Sequence, residues 1–228
     1  MISPPATIWI VIAAYNEGRA IGDVIGALRP EGYSVVVVDD CSRDETAAVA
    51  RQAGASVLRH AINLGQGAAL QTGIEFALAQ GAEILVTFDA DGQHRVSDIP
   101  ALTAALGDAH ADFALGSRVL GGTVNAPPSR KLLLWLATVF TRLTTGMRIT
   151  DTHNGLRAMT RRGAQAIKLR QNRMAHASEI LDQIAASGLT YVEVPVTIEY
   201  SEYSLAKGQS FGDALTIVFD LFARRLHR

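Results

Sequence analysis

The sequence is poor in cysteine. Cys41 is its only one, so a disulfide within the chain is excluded and a reducing compartment is the expected setting. It has no surplus of either charge. Twenty-one Lys and Arg stand against 22 Asp and Glu, a formal net charge of -1, and no basic field calls for nucleic acid. It has no apolar run near the ~20 residues that cross a bilayer; the stretch Leu132 to Phe140 is far short of it. Met1-Ile2-Ser3-Pro4-Pro5 lacks a charged stretch followed by an apolar one, so no secretory signal is expected. There is no internal repeat and no low-complexity tract. No G-x-G-x-x-G follows the first predicted strand, which argues against a dinucleotide-binding oxidoreductase. No G-K-[ST] occurs, which argues against a P-loop NTPase. What is there is a globular composition, 48% hydrophobic and 19% charged, over 228 residues, enough for a substantial core.

The first half alternates. Ile8 to Ile12 reads as a strand, and Ile21, Val24, Ile25 and Leu28 fall at i, i+3, i+4, i+7, one face of a helix. Val35 to Val38 is a continuous β-branched run, the pattern of a strand buried on both faces of a parallel sheet. A helix capped by Ser42 or Asp44 then runs to about Ala53. Ser56–Arg59 is a strand, Gly67 to Ala79 a helix ended by Gly81, and Ile84 to Phe88 a strand. Ser97 opens a helix carrying Ile99, Leu102 and Leu106, and Phe113 to Gly116 is a strand. This order predicts an α/β domain, a mostly parallel sheet with helices on both faces. Ligands of such sheets bind beyond the carboxyl ends of the strands.

Those ends carry unusual residues: Ala13-Ala14-Tyr15-Asn16-Glu17, Asp39 to Thr46, Asn63-Leu64-Gly65-Gln66-Gly67, and Asp89-Ala90-Asp91-Gly92-Gln93-His94. Each has a plain reading. Asn16 and Asp44 suit helix caps, Gly65 and Gly67 a tight turn, and Asp89 to Gly92 an acidic β-turn. Asp89 and Asp91 also alternate along an extended chain, so their carboxylates converge on one side. Paired carboxylates repel, and a hard divalent cation relieves the repulsion. Mg²⁺ is usually held by one or two carboxylates plus substrate phosphates, so a metal-assisted site for a phosphorylated substrate is expected. His94 and His153 suit such an oxygen-preferring ion less well.

The four stretches, in this order, resemble the motifs of family 2 glycosyltransferases of GT-A fold, and within them the polyprenyl-phosphate branch of the dolichol-phosphate mannose synthase type. The resemblance covers roughly residues 6 to 160, with a weaker echo to the end. It implies a single Rossmann-like domain, with residues 6–118 as the nucleotide-sugar half and 119–228 as the acceptor half. It also implies inverting transfer from a nucleotide-diphosphate sugar. By position, Ala14, Tyr15 and Glu17 would line the nucleobase and ribose pocket, and Asp39 or Asp40 would contact base or ribose. Gln66 and Gly67 would cradle the nucleotide, Asp89 and Ala90 would lie against the donor, and Asp89, Asp91 and Gln93 would hold Mg²⁺ or Mn²⁺ on its diphosphate. Three positions depart from the pattern: Ala13 stands for a usual Pro, Cys41 for a usual Gly, and Gln66 for a frequent Lys.

A lipid phosphate acceptor would be ionised near neutral pH, with a second pKa of about 6, so cations matter more than a general base. Arg118 follows the Phe113 strand, and Ser129 to Arg148 holds Arg130, Lys131, Arg142 and Arg148 with no acidic residue. Arg118 and Arg130 are the candidates for the acceptor phosphate. The apolar stretch between Lys131 and Arg142, Leu132 to Phe140 with Trp135, suits a bilayer interface; a buried helix or a dimer contact is the plainer reading. Asp151-Thr152-His153-Asn154-Gly155-Leu156-Arg157 resembles the family's D-x-x-x-G-[FL]-R element. Asp151 would then be a base or orient the acceptor, and Arg157 would bind phosphate.

Ile180, Leu181 and Ile184 predict a core helix, and Tyr191–Val194 and Val196–Tyr200 predict two strands around Pro195. Glu202 to Ser210 reads as a loop near the site, where Lys207 and Ser210 would touch diphosphate or acceptor. Phe211, Leu215, Val218 and Phe222 read as a basic-ended amphipathic helix, a second membrane contact or a solvated helix end. Related chains often add transmembrane helices here. This one is expected to be peripheral on the cytoplasmic face, alone, as a homo-oligomer, or beside a separate membrane protein. The expected activity is sugar transfer to undecaprenyl or dolichyl phosphate. Transfer to a sugar hydroxyl of a glycolipid or polysaccharide, and a non-catalytic nucleotide-sugar-binding subunit, are the alternatives.

Overall fold

In the computed structural model the described residues are 7–125, 128–170 and 176–200, with the backbone alone for 128–131 and 133. The alternation is realised as β1 (Ile8–Ala14), β2 (Ser34–Asp39), β3 (Ser56–Arg59), β4 (Ile84–Thr87), β5 (Phe113–Val124), β6 (Arg157–Thr160) and β7 (Tyr191–Glu199). Among the described residues they form one seven-stranded sheet in the order β3-β2-β1-β4-β6-β5-β7. The helices are α1 (Ile21–Leu28), α2 (Thr46–Gln52), α3 (Gln66–Ala79), α4 (Ile99–Asp108), α5 (Pro128–Thr145), α6 (Arg161–Ala166) and α7 (His176–Ser187).

Side chains alternate across a strand, and both faces of this sheet are covered. Ile10, Ile12, Val35, Val37 and Val86 pack against α1, α2 and α4. Val11, Val36 and Leu85 pack against α3, α6 and α7, where Ile180, Leu181 and Ile184 form the predicted core face. The run Val35–Val38 is buried throughout, which is why it shows no polar alternation.

Topology brings the predicted loops together. β3, β2, β1 and β4 are parallel, so the loops that follow them leave one edge. β1 lies between β2 and β4, the switch point where ligands of such sheets bind. β6 runs antiparallel between β4 and β5, with Arg157 opposite Thr87. The segment 151–156 before it therefore reaches the same edge as the loops that follow the other strands.

β5 runs through residues 118 and 119 and continues to Val124. Several expectations need correction. The two strands expected around Pro195 are one, β7, which pairs with β5 and is the last strand of the sheet among the described residues, with a single bridge from Ile198 to His94 on its other side. An edge strand tolerates a proline because one side of its ladder is unpaired, and Pro195 sits where the β5–β7 register shifts. Asn16 and Ser42 do not cap the helices that follow them, and the residues before α1 and α2 are Ala20 and Glu45; Asp44 does meet the start of α2, its Oδ1 accepting from the Thr46 N–H at 3.1 Å. The helix expected from Ser97 begins with a short 3₁₀ turn, and α4 starts at Ile99. The expected loop of Lys207 and Ser210 and the helix of Phe211 to Phe222 lie outside the described residues.

Candidate active site

The polar residues of the first two loops bond to each other. The Asn16 N–H donates to Ser42 Oγ (2.9 Å), the Glu17 N–H to Thr46 Oγ1 (2.8 Å), and the Arg43 N–H to Asn16 Oδ1 (2.8 Å). Gly18 N donates to Asp44 Oδ2 at 3.0 Å. Side chains that local rules assign to caps thus hold the β1 and β2 loops as one wall. Tyr15 is exposed on that wall. Ala14 and Ala90 point into the core, so either would meet a donor only through its backbone.

The adjacent aspartates differ. Asp40 is fully engaged: Oδ1 accepts from Leu64 N (2.9 Å) and lies 2.7 Å from His60 Nδ1, and Oδ2 accepts from Gly65 N (2.6 Å). It anchors the loop that leads into α3. Asp39 Oδ1 accepts from Ser42 N at 3.0 Å. Its Oδ2 lies 3.1 Å from Arg59 Nε yet is buried without a hydrogen bond of good geometry. Gly65 precedes α3 at φ 95°, a conformation that a Cβ disfavours. It aims Gln66 and Gly67 at the site, and Gln66 Nε2 donates a long 3.4 Å bond to Asp89 Oδ1.

Asp89 lies at the end of β4, with Oδ2 2.8 Å from His94 Nε2 and the His94 ring edge-on to Phe88. Burial works against its charge. The field and hydrogen bond of His94, helped by His176 and Arg157, nonetheless hold its carboxyl below the usual range. Asp91 goes the other way, pushed up to about 6 by burial and by the charge of Asp89. Gln93 is fixed through its backbone: its N–H donates to Asp91 Oδ1 (3.1 Å) and its carbonyl accepts from Glu199 N (3.0 Å). Among the described residues no group of three or more His, Cys, Asp and Glu is arranged as a closed metal cage. Two mutually repelling carboxylates at an open edge fit a hard divalent ion that takes its remaining ligands from a phosphorylated substrate.

Gly155 packs on the Asp89 carboxyl so closely that a Cβ would lie 2.6 Å from Asp89 Oδ1. Gly155→Ala must therefore displace that carboxylate. A misplacement of about 1 Å in such a site costs on the order of a hundredfold in rate. Loss of that size in a transfer assay, with the thermal midpoint little changed, is the expected result.

The opposite wall is built on a buried ion pair. Arg118 Nε meets Asp151 Oδ2 at 2.6 Å, and the Arg118 N–H donates to the same oxygen. Its Nη1 donates to Tyr200 Oη (3.1 Å) and its Nη2 to the His153 carbonyl (2.7 Å). Burial disfavours the charge on Arg118, but Asp151 and Tyr200 outweigh it and hold the guanidinium more firmly protonated than usual. Asp151 Oδ1 accepts from His153 N (3.2 Å), so both oxygens of the expected base are in use. Glu193 sits beneath, accepting from Thr150 N, Thr150 Oγ1 and Asp151 N. Arg157 is buried near Asp89 and Asp151, its guanidinium brought down to about 10 by burial despite both carboxylates. Of Arg130 only the backbone is described, in the first turn of α5.

A cavity of about 540 Å³ opens beside this pair, lined by Arg118, Val119, Leu134, Trp135, Thr138 and Tyr200 among others. α5 is turned so that Thr138 and Thr141 face inward, their hydroxyls donating to Leu134 and Ala137 carbonyls. Its large apolar residues face outward: Trp135 is 61% exposed and Leu143 82%. His60, Glu193 and Tyr200 carry no role in the sequence pattern above. An acidic residue inside the apolar strand pattern Tyr191-Val192-Glu193-Val194 was a visible signal for one of them.

The family model described as Glycosyl transferase family 2 matches residues 9–167. The chain belongs to that family. The UDP-N-acetylglucosamine–dolichyl-phosphate N-acetylglucosaminyltransferase of Methanococcus voltae is 31% identical, over 96% of this chain and 94% of its own. The undecaprenyl-phosphate mannosyltransferase of Micrococcus luteus is 33% identical, over 91% and 90%. Among solved structures, glucosyl-3-phosphoglycerate synthase of Mycobacterium tuberculosis, with Mn²⁺, UDP-glucose and phosphoglyceric acid, superposes with a TM-score of 0.74. The match covers 96% of this glycosyltransferase and 80% of that chain at 18% identity, and shows a shared GT-A fold.

Proposed function

We propose that this glycosyltransferase moves a sugar, with inversion, from a nucleotide-diphosphate donor to a polyprenyl phosphate at a membrane surface. The observation that carries the proposal is the cavity beside Arg118. Its lining joins the cations Arg118 and Arg142 to the apolar Val119, Leu134, Trp135 and Val139, and it lies beside the exposed apolar face of α5. A phosphate on a long apolar chain matches both kinds of lining. The names of the M. voltae and M. luteus relatives support the same acceptor class.

The donor belongs on the other side of the 151–155 segment. The β1 and β2 loops and the start of α3 form its nucleotide wall, and Asp89 and Asp91, with Gln93, are the residues to hold Mg²⁺ or Mn²⁺. Such an ion, when bound, acts as a Lewis acid for the charge that develops on the leaving diphosphate. The chain itself orients the partners. Arg118, pinned by Asp151, Tyr200 and the His153 carbonyl, presents its remaining guanidinium protons to the acceptor phosphate, a geometry suited to bidentate binding. An ionised phosphate needs no proton removed, so Asp151 serves to position Arg118 and is not the base.

No helix among the described residues is long and apolar enough to cross a membrane. Attachment would rest on the α5 face, where Leu132, Trp135, Leu136 and Leu143 are exposed together with Val119 and Leu120 of β5. The deciding experiment incubates a panel of nucleotide sugars with Mg²⁺ or Mn²⁺ and a short-chain polyprenyl phosphate. One donor should give lipid-linked sugar and released nucleoside diphosphate, and Asp91→Ala should stop both. No turnover of any donor, turnover that survives Asp91→Ala, or transfer only to a glycan hydroxyl would sink the proposal.

A further inference from the structure

A second, smaller cavity of about 60 Å³ lies behind Asp89, lined by Gln66, Asp89, His153, Asn154, Arg157 and His176 among others. The segment 151–155 divides it from the large one: Asp151 lines the acceptor cavity, and His153, Asn154 and Gly155 line this one. Asn154 is only 3% exposed. Its Oδ1 accepts from Leu156 N at 3.0 Å, which fixes the orientation of the amide. Its Nδ2 is then left buried with no hydrogen-bond partner, as is His153 Nδ1. The His153 ring is neutral, its pKa brought down to about 4 by burial and by the charge of Arg118. Arg157 spends one long bond, 3.4 Å, on the Thr152 carbonyl.

Buried polar groups without partners are costly, so these mark a place where a ligand supplies the missing bonds. The chemistry narrows the ligand. Asn154 and Arg157 offer donors, and Asp89 an acceptor. A free anion would meet the Asp89 carboxylate, and an apolar group would leave the Asn154 amide unpaired. A hydroxyl both donates and accepts, and fits both sides. At roughly 10–15 Å³ per water-sized group, the volume holds a few hydroxyls, the edge of a sugar and not a whole ring.

We infer that this cavity receives the hydroxyl edge of the donor's sugar, and that the Asn154 side-chain amide is a specificity-determining contact to it. The inference rests on the donor reading above: a sugar bonded to a diphosphate held at Asp89 and Asp91 sits next to this cavity. The 151–155 wall then places the anomeric carbon between the donor and acceptor cavities.

Calorimetric titration tests it. Wild type, Asn154→Ala and Asn154→Ser are titrated in Mn²⁺ with UDP, GDP, UDP-glucose and GDP-mannose. Serine keeps a short acceptor for the turn at Leu156 but does not reach the cavity. Both variants should bind the nucleotide sugar about tenfold more weakly and the bare nucleotide diphosphate as wild type does. Equal loss for both ligands would make Asn154 a merely structural residue and overturn the inference. No loss for either would mean that the cavity holds only a water, and would overturn it too. If wild type binds none of the nucleotide sugars, the donor reading itself fails and this inference with it.

Discussion

Asp91→Asn is expected to make the metal-free protein more stable and the enzyme inactive. The reason is the direction of the Asp91 shift. Its carboxyl stands near 6 in the folded protein against an ordinary 3.8, because burial and the Asp89 charge both oppose ionisation. A raised carboxylate pKa means that the folded state holds this proton more tightly than the unfolded chain does. The resulting cost is absent below the unfolded value, grows as pH rises between the two values, and is present in full above the folded one. At neutral pH it is on the order of 3 kcal/mol. Asparagine cannot ionise and escapes it. For a chain of this size each kcal/mol moves the thermal midpoint by about 2–4 °C, so the variant should melt several degrees higher in chelator at pH 8. The gap should close as pH falls through 6 toward 4. Mn²⁺ with a nucleoside diphosphate should reverse the order, because ligand binding stabilises only the chain that retains the site. Transfer should fall by more than about a hundredfold. A variant that melts lower than wild type at pH 8, or a gap that ignores pH, would show that the two carboxylates do not repel as described.

That trade explains why the pair was legible in the sequence while its surroundings were not. Two aspartates one residue apart at the end of an apolar strand break the local pattern, the kind of break that sites make. The parallel half of the fold was equally legible. Val35–Val38 has no polar alternation, and Ile21, Val24, Ile25 and Leu28 mark a helix face, so the direction of the chain in β1 to β4 follows. Direction in turn places the loops after those strands at one edge.

What the sequence concealed depends on long-range pairing. Nothing local in Arg157–Thr160 says that it runs antiparallel between β4 and β5, yet that insertion brings Asp151 to Gly155 into the site. Asn16, Ser42 and Asp44 are good capping residues by type. The partners of Asn16 and Ser42 lie in another loop, and tertiary bonds took them, while Asp44 bonds both to Gly18 and to the first amide of α2. Asp40 carries the same side chain as Asp39, and only the approach of His60 and the Leu64–Gly65 amides separates a structural carboxylate from its neighbour. His94 was set aside because Mg²⁺ prefers oxygen. Its place is behind the carboxylate, on Asp89 Oδ2, the kind of contact that orients a carboxylate proposed to hold a metal.

The Arg118–Asp151 pair carries the second large effect, and a pair of variants separates its two roles. Arg118→Ala should destabilise the protein by about 3–5 kcal/mol, since it leaves the Asp151 carboxylate buried without its cation. It should also abolish transfer to a lipid phosphate. Lost folding and lost acceptor binding would look alike in an activity assay. Replacing both partners by apolar residues of similar size, Arg118→Met with Asp151→Leu, removes the stranded charge. Such replacements of buried pairs are often neutral or stabilising. The double variant should therefore recover most of the melting temperature and still transfer no sugar to polyprenyl phosphate, while its calorimetric affinity for the nucleotide sugar stays near that of wild type. If stability and transfer return together, Arg118 is not the acceptor's anchor. If neither returns, the bonds to Tyr200 and the His153 carbonyl matter to folding in their own right. Recovery of stability alone would assign this buried pair to recognition: a cation kept inside the protein, at an energetic cost, because an anionic acceptor has to be met there.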